Sequence, residues 1–93
     1  MMTDEAMMKH AISLAKTAST LEEVPIGAAI YCDGEIVGEG FNRKETDLNP
    51  TSHAEIIAIA DPAKQLGRWR LHGCTLVVTL EPCPMCAGAL VNA

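Results

Sequence analysis

One five-residue stretch limits the architecture of this chain more than any other. The apolar run Thr75-Leu76-Val77-Val78-Thr79-Leu80 leads through Glu81 into Pro82-Cys83-Pro84-Met85-Cys86. A strand has to end there and a helix has to begin. Pro84 suits a first helical position, where its missing N–H would find no partner anyway. Residues i and i+3 share a helix face, so Cys83 and Cys86 can grip one metal ion. The positive end of the helix dipole also favours thiolate over thiol. Upstream, His53-Ala54-Glu55 offers a third ligand in His53 and a carboxylate in Glu55. Zinc held by three protein ligands keeps a fourth position open, as catalytic rather than structural sites do, and lowers the pKa of water there to roughly 7. Glu55 is then placed to carry protons between that water and a substrate. A second reading of Glu55 stands beside this one, since Ser52-x-x-Glu55 is also a capping box that would only tie off a helix start.

The rest of the chain alternates in type. Thr3 can cap a helix opened by Asp4 and Glu5 and carried by Met8, Ala11, Ile12, Leu14 and Ala15 to about Ala18. His10 on that helix reads as an exposed or bridging histidine. A strand over Ile26 to Cys32, the turn signal Asp33-Gly34, and a returning strand over Glu35 to Phe41 make a hairpin, with Gly38 and Gly40 weakening its second arm. Asn42 to Pro50 reads as a loop. A helix should start at Thr51 or Ser52 and be interrupted at Asp61-Pro62, because an interior proline forfeits a hydrogen bond. Cys74 to Leu80 reads as a strand buried on both faces. A last helix runs from Pro84, with small residues at Ala87, Gly88 and Ala89. This order predicts an α/β fold, a three-layer α/β/α sandwich of about three strands and three helices, with a parallel element beside the hairpin. The two motifs would then open helices whose N-termini converge on one ion.

Ninety-three residues make one domain with a modest core, drawn mainly from aliphatic side chains because aromatic residues are 3% of the chain. No apolar run approaches the ~20 residues of a membrane span, and Met-Met-Thr-Asp-Glu lacks the basic start of a signal peptide. Four cysteines in such a chain read as metal ligands or free thiols, which places the protein in the cytoplasm. Cys32 or Cys74 as a fourth, structural zinc ligand is the alternative to packed thiols. The net charge of −5 disfavours broad contact with phosphates, but Arg43 with Lys44, and Lys64 with Arg68 and Arg70, form local basic patches that otherwise read as solvated surface. Trp69 between two arginines reads as a base-stacking platform or as a plug over the sheet.

His53-x-Glu55 followed by Pro82-Cys83-x-x-Cys86 is the signature known for zinc nucleobase deaminases. The stretches Glu23-Val24-Pro25-Ile26-Gly27-Ala28, Asn42-Arg43-x-Glu45-Thr46 and Thr79 to Gly88 resemble the bacterial tRNA-specific adenosine deaminases of the cytidine/deoxycytidylate deaminase superfamily. That resemblance covers almost the whole chain. It implies the sandwich fold, zinc on His53, Cys83 and Cys86, catalysis by Glu55, and Asn42 holding the base or ribose. It further implies hydrolytic deamination of adenosine at the wobble position of a tRNA anticodon loop, and a homodimer. Guanine deaminases share the zinc motif and remain an alternative, as do other nucleobase deaminases and a non-catalytic zinc module. Family members continue with two more strands and a closing helix. The resemblance therefore implies a deaminase domain over residues 1–93 that is incomplete at its C-terminus and weak or inactive on its own.

Overall fold

The computed structural model describes residues 3–66, 71, 73–80 and 82–93, and at positions 61, 63–66 and 92 the backbone alone. Helix α1 (Asp4–Thr20) starts as expected, the Thr3 hydroxyl accepting the Ala6 N–H at 3.1 Å. It runs two residues past Ala18 and stops where Glu22 turns to φ 62°, which returns the Glu23 N–H to the Ala18 carbonyl at 3.0 Å. Strands β1 (Gly27–Cys32) and β2 (Glu35–Phe41) pair antiparallel across Asp33 and Gly34, both at positive φ as a two-residue hairpin turn requires. A short helix α2 (Lys44–Asp47) stands inside the expected loop. Helix α3 (Ala54–Leu66), strand β3 (Cys74–Val78) and helix α4 (Pro84–Asn92) complete the order.

The sheet order is β2-β1-β3, and every pairing is antiparallel. The expected parallel pair is not formed. The crossover through α3 carries the chain over β1, so β2 and β3 point the same way with β1 between them, antiparallel to both. β3 is therefore an edge strand rather than one buried on both faces: Thr75 is exposed and the other four residues are half-buried. Side chains alternate across β1. Ala28 and Ile30 pack with Ala54 and Ala58 of α3, while Ala29 and Tyr31 pack with Met7 of α1. With α4 also against α3, the result is the expected α/β/α sandwich. His10 bridges its helix to the sheet, Nε2 lying 2.6 Å from Glu39 Oε2.

The layers pack closely because the contacting residues are small. Ala54, Ala58 and Pro62 lie four residues apart along one face of α3, opposite Gly40 and Gly38 of β2. A Cβ on Gly38 would fall 2.2 Å from the Ala58 carbonyl oxygen and 2.6 Å from Pro62 Cγ. The two glycines read from sequence as weakening β2 are thus what lets α3 dock. The helix also continues across Pro62, contrary to the expected interruption. Pro62 cannot donate to the Ala58 carbonyl, and that oxygen faces Gly38 instead.

Candidate metal centre and active site

The metal centre is built at two helix starts. Cys83 is the N-cap of α4 with Pro84 directly after it, so Cys86 falls one turn in and on the same side. His53 takes the N-cap position of α3, its carbonyl accepting the Ile57 N–H at 3.0 Å. The helix therefore begins at Ala54, two to three residues later than the sequence suggested. The reason lies outside the helix: the Ser52 hydroxyl donates to Asp47 Oδ2 at 3.0 Å. The Ser52 N–H, which a capping box would give to the Glu55 carboxylate, donates to the Asn49 carbonyl at 3.1 Å, so the capping-box reading of Glu55 loses its partner.

His53, Cys83 and Cys86 present one nitrogen and two sulfurs within 4.8 Å of one another. Both thiol sulfurs lie 3.6 Å from His53 Nδ1. Tetrahedral zinc, with Zn–S near 2.3 Å and Zn–N near 2.0–2.1 Å, requires a nitrogen–sulfur separation of about 3.6 Å. The donor set and both nitrogen–sulfur edges thus fit the ion. Cys86 is fully buried, and Glu55 retains 4% exposure. Burial, the neighbouring Cys83 and Glu55 together push the Cys86 thiol up to about 12. The Cys83 thiol is lowered from its ordinary 9.0, chiefly by the Cys86 amide directed at it, although no cap hydrogen bond closes. Two thiols and a carboxylate that repel one another as anions thus surround one imidazole, and a divalent cation turns that repulsion into attraction.

Among the described residues, no other side chain joins this group. Cys32 directs its thiol to the Gly73 carbonyl at 3.8 Å, and Cys74, opposite it across the sheet, packs against the core. The fourth-ligand reading of either cysteine is not borne out there. Asn42 is 2% exposed just beyond β2. Its N–H donates to the Ile26 carbonyl at 3.0 Å, and its Oδ1 accepts the Lys44 N–H at 3.2 Å. With the oxygen engaged, the amide nitrogen is the end left to donate. Arg43 is partly committed to the fold, with Nε 3.1 Å from Asp47 Oδ1 and its guanidinium 5.4 Å from the Phe41 ring centre. Trp69, Arg68 and Arg70, and the side chain of Lys64, lie outside the described residues. An apolar hollow of about 100 Å³, lined by residues such as Ile59, Leu76 and Leu90, contains none of the metal-centre residues in its lining.

Sequence reasoning named Glu23 only as the first residue of a family-like stretch and missed its role. It is 5% exposed, and its carboxylate accepts from the Glu45 N–H at 3.2 Å, the Thr46 N–H at 2.6 Å and the Thr46 hydroxyl at 2.7 Å. Nothing local marks it, because its partners lie more than twenty residues away in a stretch that reads as loop.

An α/β/α sandwich that brings one imidazole and two thiols together at adjacent helix starts defines a zinc-binding domain of the nucleobase deaminase class. The chain belongs to the family described as the cytidine and deoxycytidylate deaminase zinc-binding region, whose pattern matches residues 1–93. It is 53% identical over 91 residues to the tRNA-specific adenosine deaminase of Bacillus subtilis, covering 98% of this chain and 56% of that protein. A guanine deaminase structure from Bacillus subtilis superposes with a TM-score of 0.92 at 42% identity, over 97% of this chain and 58% of its own. A structure from work on A-to-I editing by tRNA:A34 deaminases superposes with a TM-score of 0.90 at 41% identity, over 95% and 64%. The chain thus spans little more than half the length of the curated relative. No helix among the described residues is long and apolar enough to cross a membrane.

Proposed function

We propose that residues 1–93 form a deaminase domain that hydrolyses adenosine to inosine at the wobble position of a tRNA anticodon loop. One observation carries the chemistry: the buried Glu55 carboxylate stands beside a His53, Cys83, Cys86 set whose 3.6 Å edges suit tetrahedral zinc. The 53% identity to a tRNA-specific adenosine deaminase supports the substrate. Zinc, when bound, supplies the polarisation that makes water nucleophilic near neutral pH. Glu55 takes the proton released by that water and passes it to the ring nitrogen next to the reacting carbon. After the water oxygen has bonded to that carbon, Glu55 takes the remaining proton of that hydroxyl and delivers it to the amine; the carbon–nitrogen bond breaks as the carbon–oxygen double bond forms, and ammonia leaves. Asn42 orients the substrate through its amide donor, in a pocket that takes the base flipped out of the loop. The ligand thiols need a reducing compartment, which agrees with the cytoplasm. By analogy with the family the active form is a homodimer.

A second reading, deamination of free guanine, is favoured by the 0.92 superposition on a guanine deaminase. The two are separated by incubating the zinc-loaded chain with an anticodon stem-loop carrying wobble adenosine, with free guanine and with cytidine. Inosine in the stem-loop is the expected product. Xanthine from guanine with no inosine would establish the second reading instead.

A further inference from the structure

The chain before β1 touches the 42–52 segment at two points. The Ile26 carbonyl holds the Asn42 N–H at 3.0 Å, and three residues earlier the Glu23 carboxylate holds the Glu45 and Thr46 amides and the Thr46 hydroxyl. Helix α2 has no side-chain cap of its own at Arg43, so Glu23 supplies the cap from a distant part of the chain. Asn42 is itself the first anchor, and its Oδ1 is fixed by the N–H of Lys44, the residue just before the clamped amides. The segment is closed at its far end by the Arg43 N–H on the Ser52 carbonyl at 2.9 Å, immediately before His53. His53 gives its N–H to the Thr51 carbonyl at 2.8 Å, and its own carbonyl starts α3 by accepting the Ile57 N–H at 3.0 Å.

We propose that Glu23 is a positioning residue: by clamping the first turn of α2 to the strand entry, it fixes the orientation of the Asn42 amide toward the nucleoside, without holding the metal. This inference rests on the deaminase reading for its consequence in turnover and on the hydrogen bonds alone for its structural part. Losing the carboxylate leaves the Glu45 and Thr46 amides without their acceptor, and the start of α2 keeps only the Asn42 oxygen on the Lys44 N–H. The Lys44 N–H then no longer has a fixed position from which to hold the Asn42 oxygen, and the amide rotates. His53 keeps its place because α3 is seated on β2 and β1 through Ala54 and Ala58.

The test compares the zinc-loaded parent chain with Glu23→Ala and Glu23→Gln. Hydrogen exchange should accelerate at Glu45 and Thr46 and the Asn42 side-chain amide resonance should move in both variants, while zinc content and α3 protection stay as in the parent. On the adenosine stem-loop, KM should rise between about tenfold and a hundredfold in Glu23→Ala, with kcat changed far less, and Glu23→Gln, which keeps one acceptor oxygen, should fall between. Unchanged exchange at Glu45 and Thr46 overturns the clamp, as does loss of zinc in Glu23→Gln. An unchanged KM in the presence of accelerated exchange overturns the link to Asn42. A parent that never turns over the stem-loop removes the tRNA-adenosine reading, and the exchange and resonance data then decide the clamp by themselves.

Discussion

Gly40 lies directly beneath the carbonyl of Ala54, so close that a Cβ there would stand 2.2 Å from the oxygen. Ala54 follows His53, so this contact sets how near the end of α3 that carries the His53, Cys83, Cys86 cluster comes to the sheet. Gly40→Ala should destabilise the zinc-loaded protein by about 1–3 kcal/mol through overpacking. Gly88→Ala should act in the opposite direction. A Cβ at Gly88 meets nothing within 4 Å, and alanine in a helix is favoured over glycine by about 1 kcal/mol. Urea unfolding of both variants checks the two signs together.

The metal assignment predicts one zinc per chain. The Cys83→Ala, Cys86→Ala double variant should lose it, and Cys32→Ser should keep it, because Cys32 points to the Gly73 carbonyl instead. Metal analysis after dialysis reads this directly. Stoichiometric zinc in the double variant would sink the site.

Glu55→Ala separates chemistry from capping. With the Ser52 N–H given to the Asn49 carbonyl, the carboxylate has no capping partner there. The variant should stay folded, retain zinc and lose turnover by about 10²–10⁴-fold, the usual weight of a positioned acid–base group. A folded, zinc-loaded variant with parental turnover would refute the proton-relay role.

Glu23 makes stability depend on pH in a defined direction. Burial alone would raise its pKa, but the hydrogen bonds from Thr46 and Glu45 outweigh burial and bring it below the ordinary 4.5. The unfolded chain thus takes up the proton first as pH falls. The contribution of Glu23 is complete above about pH 4.5 and is lost as pH drops through the lower, folded value. The stability gap between the parent and Glu23→Gln should therefore be constant near neutrality and shrink below 4.5. A gap that widened on acidification would contradict this sign.

β3 closes one side of the described three-stranded sheet, with Thr75 exposed. Such an edge invites pairing with another chain. The zinc-loaded protein should sediment as a dimer or larger at tens of micromolar, and Thr75→Lys should shift it toward monomer. A well-folded parental monomer at that concentration would count against edge association.

The sequence alone determined the elements whose causes are local. Asp33-Gly34 made the hairpin because both residues accept positive φ. Pro84 started α4 because it has no N–H to satisfy, and that start put Cys83 and Cys86 on one side. The clustering of His53, Cys83 and Cys86 was legible because zinc chemistry restricts residue type and spacing so tightly. Tertiary structure decided the rest. The strand direction beside β1 depended on which strand the α3 crossover passes over, a choice no local pattern encodes. Helix α2 exists where loop residues stand because a carboxylate from Glu23 arrives to cap it, and α3 begins at Ala54 because Asp47 takes the Ser52 hydroxyl. Pro62 stays inside a helix because its freed carbonyl partner abuts a glycine of β2. In each of these the deciding group is distant in sequence or its backbone partner is free to choose, so the outcome follows from packing rather than propensity.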